Sequence, residues 1–158
     1  MNVNLLSNTE AEQLQQLIAE AEHIVICAHK SPDGDAIGSS LAWKSYLKQI
    51  GKTDVTVCMP DAYPDFLQWL PEANTILRYD KHPDRVQQVF DNADLVCCLD
   101  FNQYTRVEDM RPTLEGCKAK RILIDHHLEP ETNNAITVSN PNMSSTSEMV
   151  FYIISQLG

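Results

Sequence analysis

No Cys-x-x-Cys pair occurs in this chain, although five cysteines are spread along its 158 residues. Cys27, Cys58, Cys97 and Cys98 lie in apolar, strand-like runs, and Cys117 stands apart. That pattern points to buried free thiols in a reducing compartment, against a disulfide framework or a thiolate zinc site. Basic residues are also short: 12 Lys and Arg against 22 Asp and Glu leave a net charge of −10. A protein that wraps nucleic acid by neutralising phosphates is disfavoured. Phosphate esters remain open to an acidic protein whose bound divalent cations supply positive charge locally. No segment approaches the length of a membrane span, and the polar start Met1-Asn2-Val3-Asn4 lacks the charge-then-apolar layout of a signal peptide. A cytoplasmic chain without membrane contact is expected. Glycine is scarce at five residues, and 43% hydrophobic content fits an ordinary globular protein of one domain. The chain shows no internal repeat, low-complexity tract or interdomain linker.

What it does contain is an alternation of short apolar runs and helical patterns. Ser7-Asn8-Thr9-Glu10 has the spacing of a capping box, followed by Ala11, Leu14, Leu17, Ile18 and Ala21 at helical spacing. Strands are expected at Ile24–Ala28, Asp54–Met59, Asp94–Leu99, Arg121–Ile124 and, at the periphery, Ile136–Val138. The run at Asp94–Leu99 is continuously apolar, as in a strand covered on both faces. Helices are expected from Leu41 to Ile50 with Gly51 as a cap, at Arg85–Phe90, around Thr105–Leu114, and from Ser144–Glu148 onward. Residues 60–80 read as a short helix and a connector, with Tyr63, Phe66 and Trp69 forming a satellite core rather than a base-stacking platform. The fold class is α/β: a doubly wound, mainly parallel sheet with flanking helices.

The chemistry concentrates where strands end. His29-Lys30-Ser31-Pro32-Asp33-Gly34-Asp35-Ala36-Ile37-Gly38-Ser39 links the first strand to its helix. In an extended segment Asp33 and Asp35, two apart, face the same way. Pro32 fixes its own φ and restricts Ser31, while Gly34, Ala36 and Gly38 permit a turn and close backbone approach. Imidazole plus carboxylate is a ligand set for Mn²⁺, Fe²⁺, Co²⁺ or Zn²⁺ rather than Ca²⁺. The plainer alternative makes one Asp a helix N-cap and His29 structural. Two more strand ends carry ligand-type residues, Asp100 and Asp125-His126-His127. In a parallel sheet with right-handed crossovers all three ends gather at one edge. A solvated loop acid and a capping histidine pair are the alternatives for each alone.

Together these residues resemble the DHH phosphoesterase superfamily. The run His29-x-x-Pro32-Asp33-Gly34-Asp35-Ala36-x-Gly38-Ser39, the Leu99-Asp100 strand end and Asp125-His126-His127 look like its first three motifs, and Ser144-Ser145-Thr146-Ser147-Glu148 looks like its Ser-Ser-Thr helix start. The form is most similar to the nano-RNase/pAp-phosphatase and cyclic-dinucleotide branches, beside RecJ-like nucleases. The resemblance implies a Rossmann-like DHH domain and a dinuclear site, usually Mn²⁺, with Mg²⁺, Co²⁺ or Fe²⁺ as alternatives. His29 and Asp33 would hold one ion, Asp35 and His126 the other, and Asp100 would bridge them. His127 would face the substrate phosphate, Asp125 would orient the histidines, and Arg106 would reach a phosphate. Such a site hydrolyses phosphate esters by two-metal chemistry.

By the same resemblance, residues 1–158 are expected to be the catalytic domain alone. They would stop before an Asp-Thr-Gly-like ligand motif and a C-terminal substrate-binding domain. The implied substrates are short oligoribonucleotides and/or 3′-phosphoadenosine 5′-phosphate (pAp), in an exonuclease-like nucleotide hydrolase for which a homodimer is a possible assembly. Cyclic-di-AMP, polyphosphate or pyrophosphate hydrolysis are alternatives. So is a non-catalytic module that binds metal and nucleotide.

Overall fold

In the computed structural model, which describes residues 4–158, the first helix starts with the reciprocal pair its sequence announces. Ser7 Oγ accepts the Glu10 N–H at 3.1 Å, and the Glu10 carboxylate accepts the Ser7 N–H at 3.0 Å, opening α1 (Asn8–Glu20). Met1–Val3, whose polarity entered the argument against a signal peptide, lie outside the described residues. Then follow β1 (Ile24–Cys27), α2 (Gly34–Gln49), β2 (Val55–Met59), β3 (Leu77–Arg78), α3 (Pro83–Asn92), β4 (Leu95–Leu99), α4 (Arg111–Glu115), β5 (Lys120–Asp125), β6 (Ile136–Ser139) and α5 (Thr146–Leu157). Among the described residues no helix is long and apolar enough to cross a membrane.

The strands form one six-stranded sheet, parallel throughout, in the order β3-β2-β1-β4-β5-β6. The alternation of side chains along each strand feeds two cores. Ile24, Ile26, Val57, Cys97, Leu99, Ile122 and Ile124 face Leu14, Ile18, Trp43, Leu47, Met149 and Ile153 of α1, α2 and α5. Val25, Cys27, Cys58, Val96, Cys98 and Leu123 face Val86, Phe90, Met110 and Leu114 on the other side. Covered on both faces, the central strands have no polar alternation to show. The thiols are free, and burial pushes those of Cys58 and Cys97 up to about 12, so they are inert core residues.

Four expectations are corrected. First, α2 begins inside the acidic loop: Asp33 caps it, accepting the Ala36 N–H at 2.9 Å, and Asp35 is in its first turn. The two acids therefore do not lie in an extended segment, because an Asp ahead of a helix's unpaired N–H groups accepts one of them and starts the helix there. Second, Ser31 sits at φ 54 rather than in the extended region favoured before proline, with its N–H donated to Asp61 Oδ1 at 2.7 Å. Third, the helical stretch near Thr105–Leu114 is broken into a 3₁₀ segment, Tyr104–Met110, itself kinked at Glu108 (φ 45, ψ −111), and α4. Pro112 has no N–H to give the Glu108 carbonyl, so a continuous helix loses that bond. Fourth, residues 60–80 include the short edge strand β3, and of the aromatic cluster only Tyr63 packs against the core. Phe66 and Trp69 are 72% and 76% exposed while Leu67 is buried. Around the 3₁₀ turn Asp65–Leu67, positions three apart eclipse, so residues 66 and 69 share the solvent side.

Candidate metal centre

The sheet order reverses between β1 and β4, whose neighbours on either side run outward as β2-β3 and β5-β6. Open parallel sheets leave a crevice at that switch point, beyond the carboxyl ends of the strands. His29 follows β1, Asp100 follows β4, and Asp125 ends β5 with His126 and His127 next. These tips border a cleft of about 570 Å³ lined by His29, Asp33, Asp35, Asp100, Arg106, His126 and His127, with Lys30 and Glu108 on its rim. All the residues singled out from the sequence are thus brought to one place, Asp125 lying just behind the lining.

Asp100 is the centre of the arrangement. It is 3% exposed and its two oxygens face different imidazoles. Oδ2 is 3.2 Å from His29 Nε2, and Oδ1 is 3.6 Å from His126 Nε2. Asp33 Oδ1 stands 3.7 Å from His29 Nε2, and Asp35 Oδ2 stands 3.7 Å from His126 Nε2. Two groups of ligand atoms, each within 4.8 Å of one another, result: His29, Asp33 and Asp100, and Asp100, Asp125, His126 and His127. Asp100 belongs to both. Its backbone is left-handed at φ 64, a region Asp tolerates better than most residues, and its N–H is donated to the Ile124 carbonyl at 3.1 Å.

The donor set fits divalent cations on three observations. His29 Nδ1 lies 2.7 Å from the Lys30 carbonyl, which only accepts, so Nδ1 carries the hydrogen. Neutral His29 therefore turns the lone pair of Nε2 toward two carboxylates. Only a proton or a cation between them relieves that. In the metal-free chain it is a proton: the hydrogen bond to Asp100 raises the His29 pKa to about 9 against the cost of its burial. The Asp100 carboxyl is itself raised, first by burial. Second, spacings of 3.2–3.7 Å are close to the separation of about 3 Å between neighbouring ligands of one small ion. Third, Asp33, Asp35 and Asp100 all line a cleft that would repel a phosphate ester unless cations reversed its charge.

The remaining residues are held by partners of their own. His127 Nδ1 is 2.6 Å from Asp125 Oδ1, and the His127 N–H is donated to Asp125 Oδ2 at 2.9 Å. Asp125 is fully buried, so it fixes the ring and leaves Nε2 for the cleft. Arg106 also lines the cleft, its Nε donating to Asn102 Oδ1 at 3.3 Å, while its carbonyl accepts the Lys30 N–H at 2.8 Å. Lys30 Nζ pairs with Glu108 at 2.9 Å, which ties the two rim loops together.

Sequence reasoning missed what α5 contributes. Its first two N–H groups, from Thr146 and Ser147, are donated to the two oxygens of Asp35 at 3.0 and 2.8 Å. Burial alone would raise the Asp35 carboxyl, but these bonds from Ser147 and Thr146 hold it below its ordinary value. Asp35 is therefore both beside His126 and the anchor of a second helix. Thr146 Oγ1 also donates to Asp100 Oδ1 at 3.0 Å. The only available signal was the Ser-Ser-Thr helix start, which by itself says nothing about where that helix docks.

Residues 23–158 match the family model described as "DHH family, N-terminal domain". A Thermus thermophilus protein, the bifunctional oligoribonuclease and PAP phosphatase NrnA, is 36% identical over 135 residues, covering 85% of this chain and 37% of that protein. The crystal structure of an exopolyphosphatase-related protein from Bacteroides fragilis superposes with a TM-score of 0.95 at 40% identity, over 99% of this chain and 46% of that one. The exonuclease RecJ bound to manganese shares the fold, with a TM-score of 0.56 at 17% identity over 98% of this chain and 39% of that one. The chain thus spans less than half the length of each of these relatives.

Proposed function

This chain belongs to the DHH family, and from that premise we propose that it carries the metal-binding half of a phosphoesterase acting on short oligoribonucleotides and/or pAp. The observation that carries the proposal is Asp100, a buried carboxylate set between His29 and His126 at the switch point of the sheet. His29 and Asp33 would hold one ion, Asp35 and His126 a second, with Asp100 shared. Manganese is the first choice, because mixed imidazole and carboxylate ligands suit it and the similar fold of RecJ is described with manganese bound. Bound cations supply Lewis acidity and the positive charge that a phosphoryl group requires.

The protein's own groups do the rest. Asp125 holds the His127 ring so that Nε2 meets a phosphoryl oxygen or the leaving group. Arg106, which also lines the cleft, would reach the same phosphate, where a planar guanidinium pairs two oxygens at once. Phe101 and Asp100 are buried, which strengthens the charge interactions that Asp100 makes. The longer relatives extend well beyond the matched region, and a further domain is proposed to close the cleft and choose the substrate.

Incubating the full-length protein and Mn²⁺ with pAp, pApA, cyclic-di-AMP and polyphosphate tests the assignment. Release of phosphate from pAp or of mononucleotide from pApA is expected. Release from polyphosphate alone would overturn the nucleotide substrate and favour the second reading, polyphosphate hydrolysis, in keeping with the exopolyphosphatase-related protein from Bacteroides fragilis.

A further inference from the structure

Thr146 is fully buried, and its hydroxyl has one hydrogen-bond partner among the described residues, Asp100 Oδ1 at 3.0 Å. That hydroxyl is not needed to start α5. The cap is Ser145, whose Oγ accepts the Glu148 N–H at 3.1 Å, and the first two N–H groups go to Asp35. A valine would fill the same space without placing a hydroxyl in the interior, where an unpaired one costs free energy. The hydroxyl therefore points to a task at Asp100.

Asp100 needs such a partner. The torsion that turns a carboxylate is broad and two-fold, so covalent geometry does not decide which oxygen faces which imidazole. His29 engages Oδ2 at 3.2 Å, and Thr146 engages Oδ1, the oxygen 3.6 Å from His126. The donor is itself rigidly placed. Its backbone N–H is fixed on Asp35, and α5 packs close to α2, where a Cβ on Gly38 would touch Ser147 Oγ at 3.4 Å.

We propose that Thr146 is a positioning residue whose hydroxyl holds Asp100 in the orientation that lets two cations share it. This rests on the metal assignment given under Proposed function, and the test separates the two. Mn²⁺ binding to the full chain is measured by equilibrium dialysis, and pairing of the ions by the exchange-coupled signal in electron paramagnetic resonance. Wild type is expected to bind two ions and give the coupled signal. Thr146→Val is expected to lower Mn²⁺ affinity by about 10- to 100-fold and lose the coupled signal, and Thr146→Ser to restore both. Wild-type affinity and coupling in Thr146→Val would overturn the proposal while leaving the metal site intact. Equal loss in Thr146→Ser would also overturn it, since the methyl group and not the hydroxyl would then be what matters. Should Thr146→Val fail to fold, Thr146→Ala against Thr146→Ser makes the same decision. A wild-type chain that binds no Mn²⁺ would overturn the metal assignment and this proposal with it.

Discussion

The same chemical pair stands at both ends of β1. Ahead of the strand, His23 meets Asp54 at 2.5 Å; beyond it, His29 meets Asp100 at 3.2 Å. The shorter contact is the less consequential one. His23 and Asp54 are half exposed, at 50% and 54%, and water competes for both. Around His29 the Asp100 side chain is 3% exposed, Asp33 and the Asp35–His126 pair stand close by, and Nδ1 is already committed to a carbonyl. What separates the candidate metal centre from the opposite edge of the sheet is the convergence of donors around a buried carboxylate, not contact distance.

The largest expected effect breaks the comparison if it fails. Asp100→Asn is expected to lower Mn²⁺ affinity by more than about 100-fold, beyond the loss of an outer hydrogen-bonding partner, and to remove hydrolysis. Asp54→Asn is expected to leave both unchanged. Equilibrium dialysis and pAp hydrolysis on the two variants check this, and equal behaviour would mean that the two edges do not differ as described. Next comes the orientation of His127. Asp125→Asn is expected to lower turnover by about 10- to 100-fold while Mn²⁺ stoichiometry is kept, as read by steady-state kinetics beside metal analysis.

The smallest effect sharpens the contrast through pH. His29 is raised from 6.5 to about 9 by its bond to Asp100, so below that value a cation must displace a proton. Mn²⁺ affinity is expected to rise with pH, by up to about tenfold per unit, and to level off above about 9. Stability of the metal-free chain runs the opposite way. The pair contributes fully below 6.5 and its contribution fades as pH rises through about 9, which urea midpoints across that window would record. His23 is raised as well, mainly by its bond to Asp54, but in the open. Its titration, followed by NMR, is expected to shift back toward 6.5 with added salt and to ignore metal.

Much of the fold was legible because it is locally encoded. The Ser7 and Glu10 pair, the apolar runs of β1, β2, β4 and β5 and the Ser145 helix start each declare themselves within a few residues. Phe66 and Trp69 misled because apolarity argues for burial, whereas the 3₁₀ geometry that exposes them depends on how Leu67 and Leu70 meet the core. β3 is two residues long and carries almost no pattern of its own. The acidic loop was recognised for its residue types, but its conformation was misjudged, since Asp33 serves the helix as well as standing beside His29.

By itself the sequence determined which residue types stand at which strand ends, because strand periodicity and the residues that interrupt it are written consecutively in the chain. Only the tertiary structure decided that Asp100 lies between two imidazoles and that Asp35 and Thr146 meet across 111 positions. The physical reason is that strand order and the docking of α5 are set by packing between distant segments, and no local preference specifies which of several acids will be buried against which histidine.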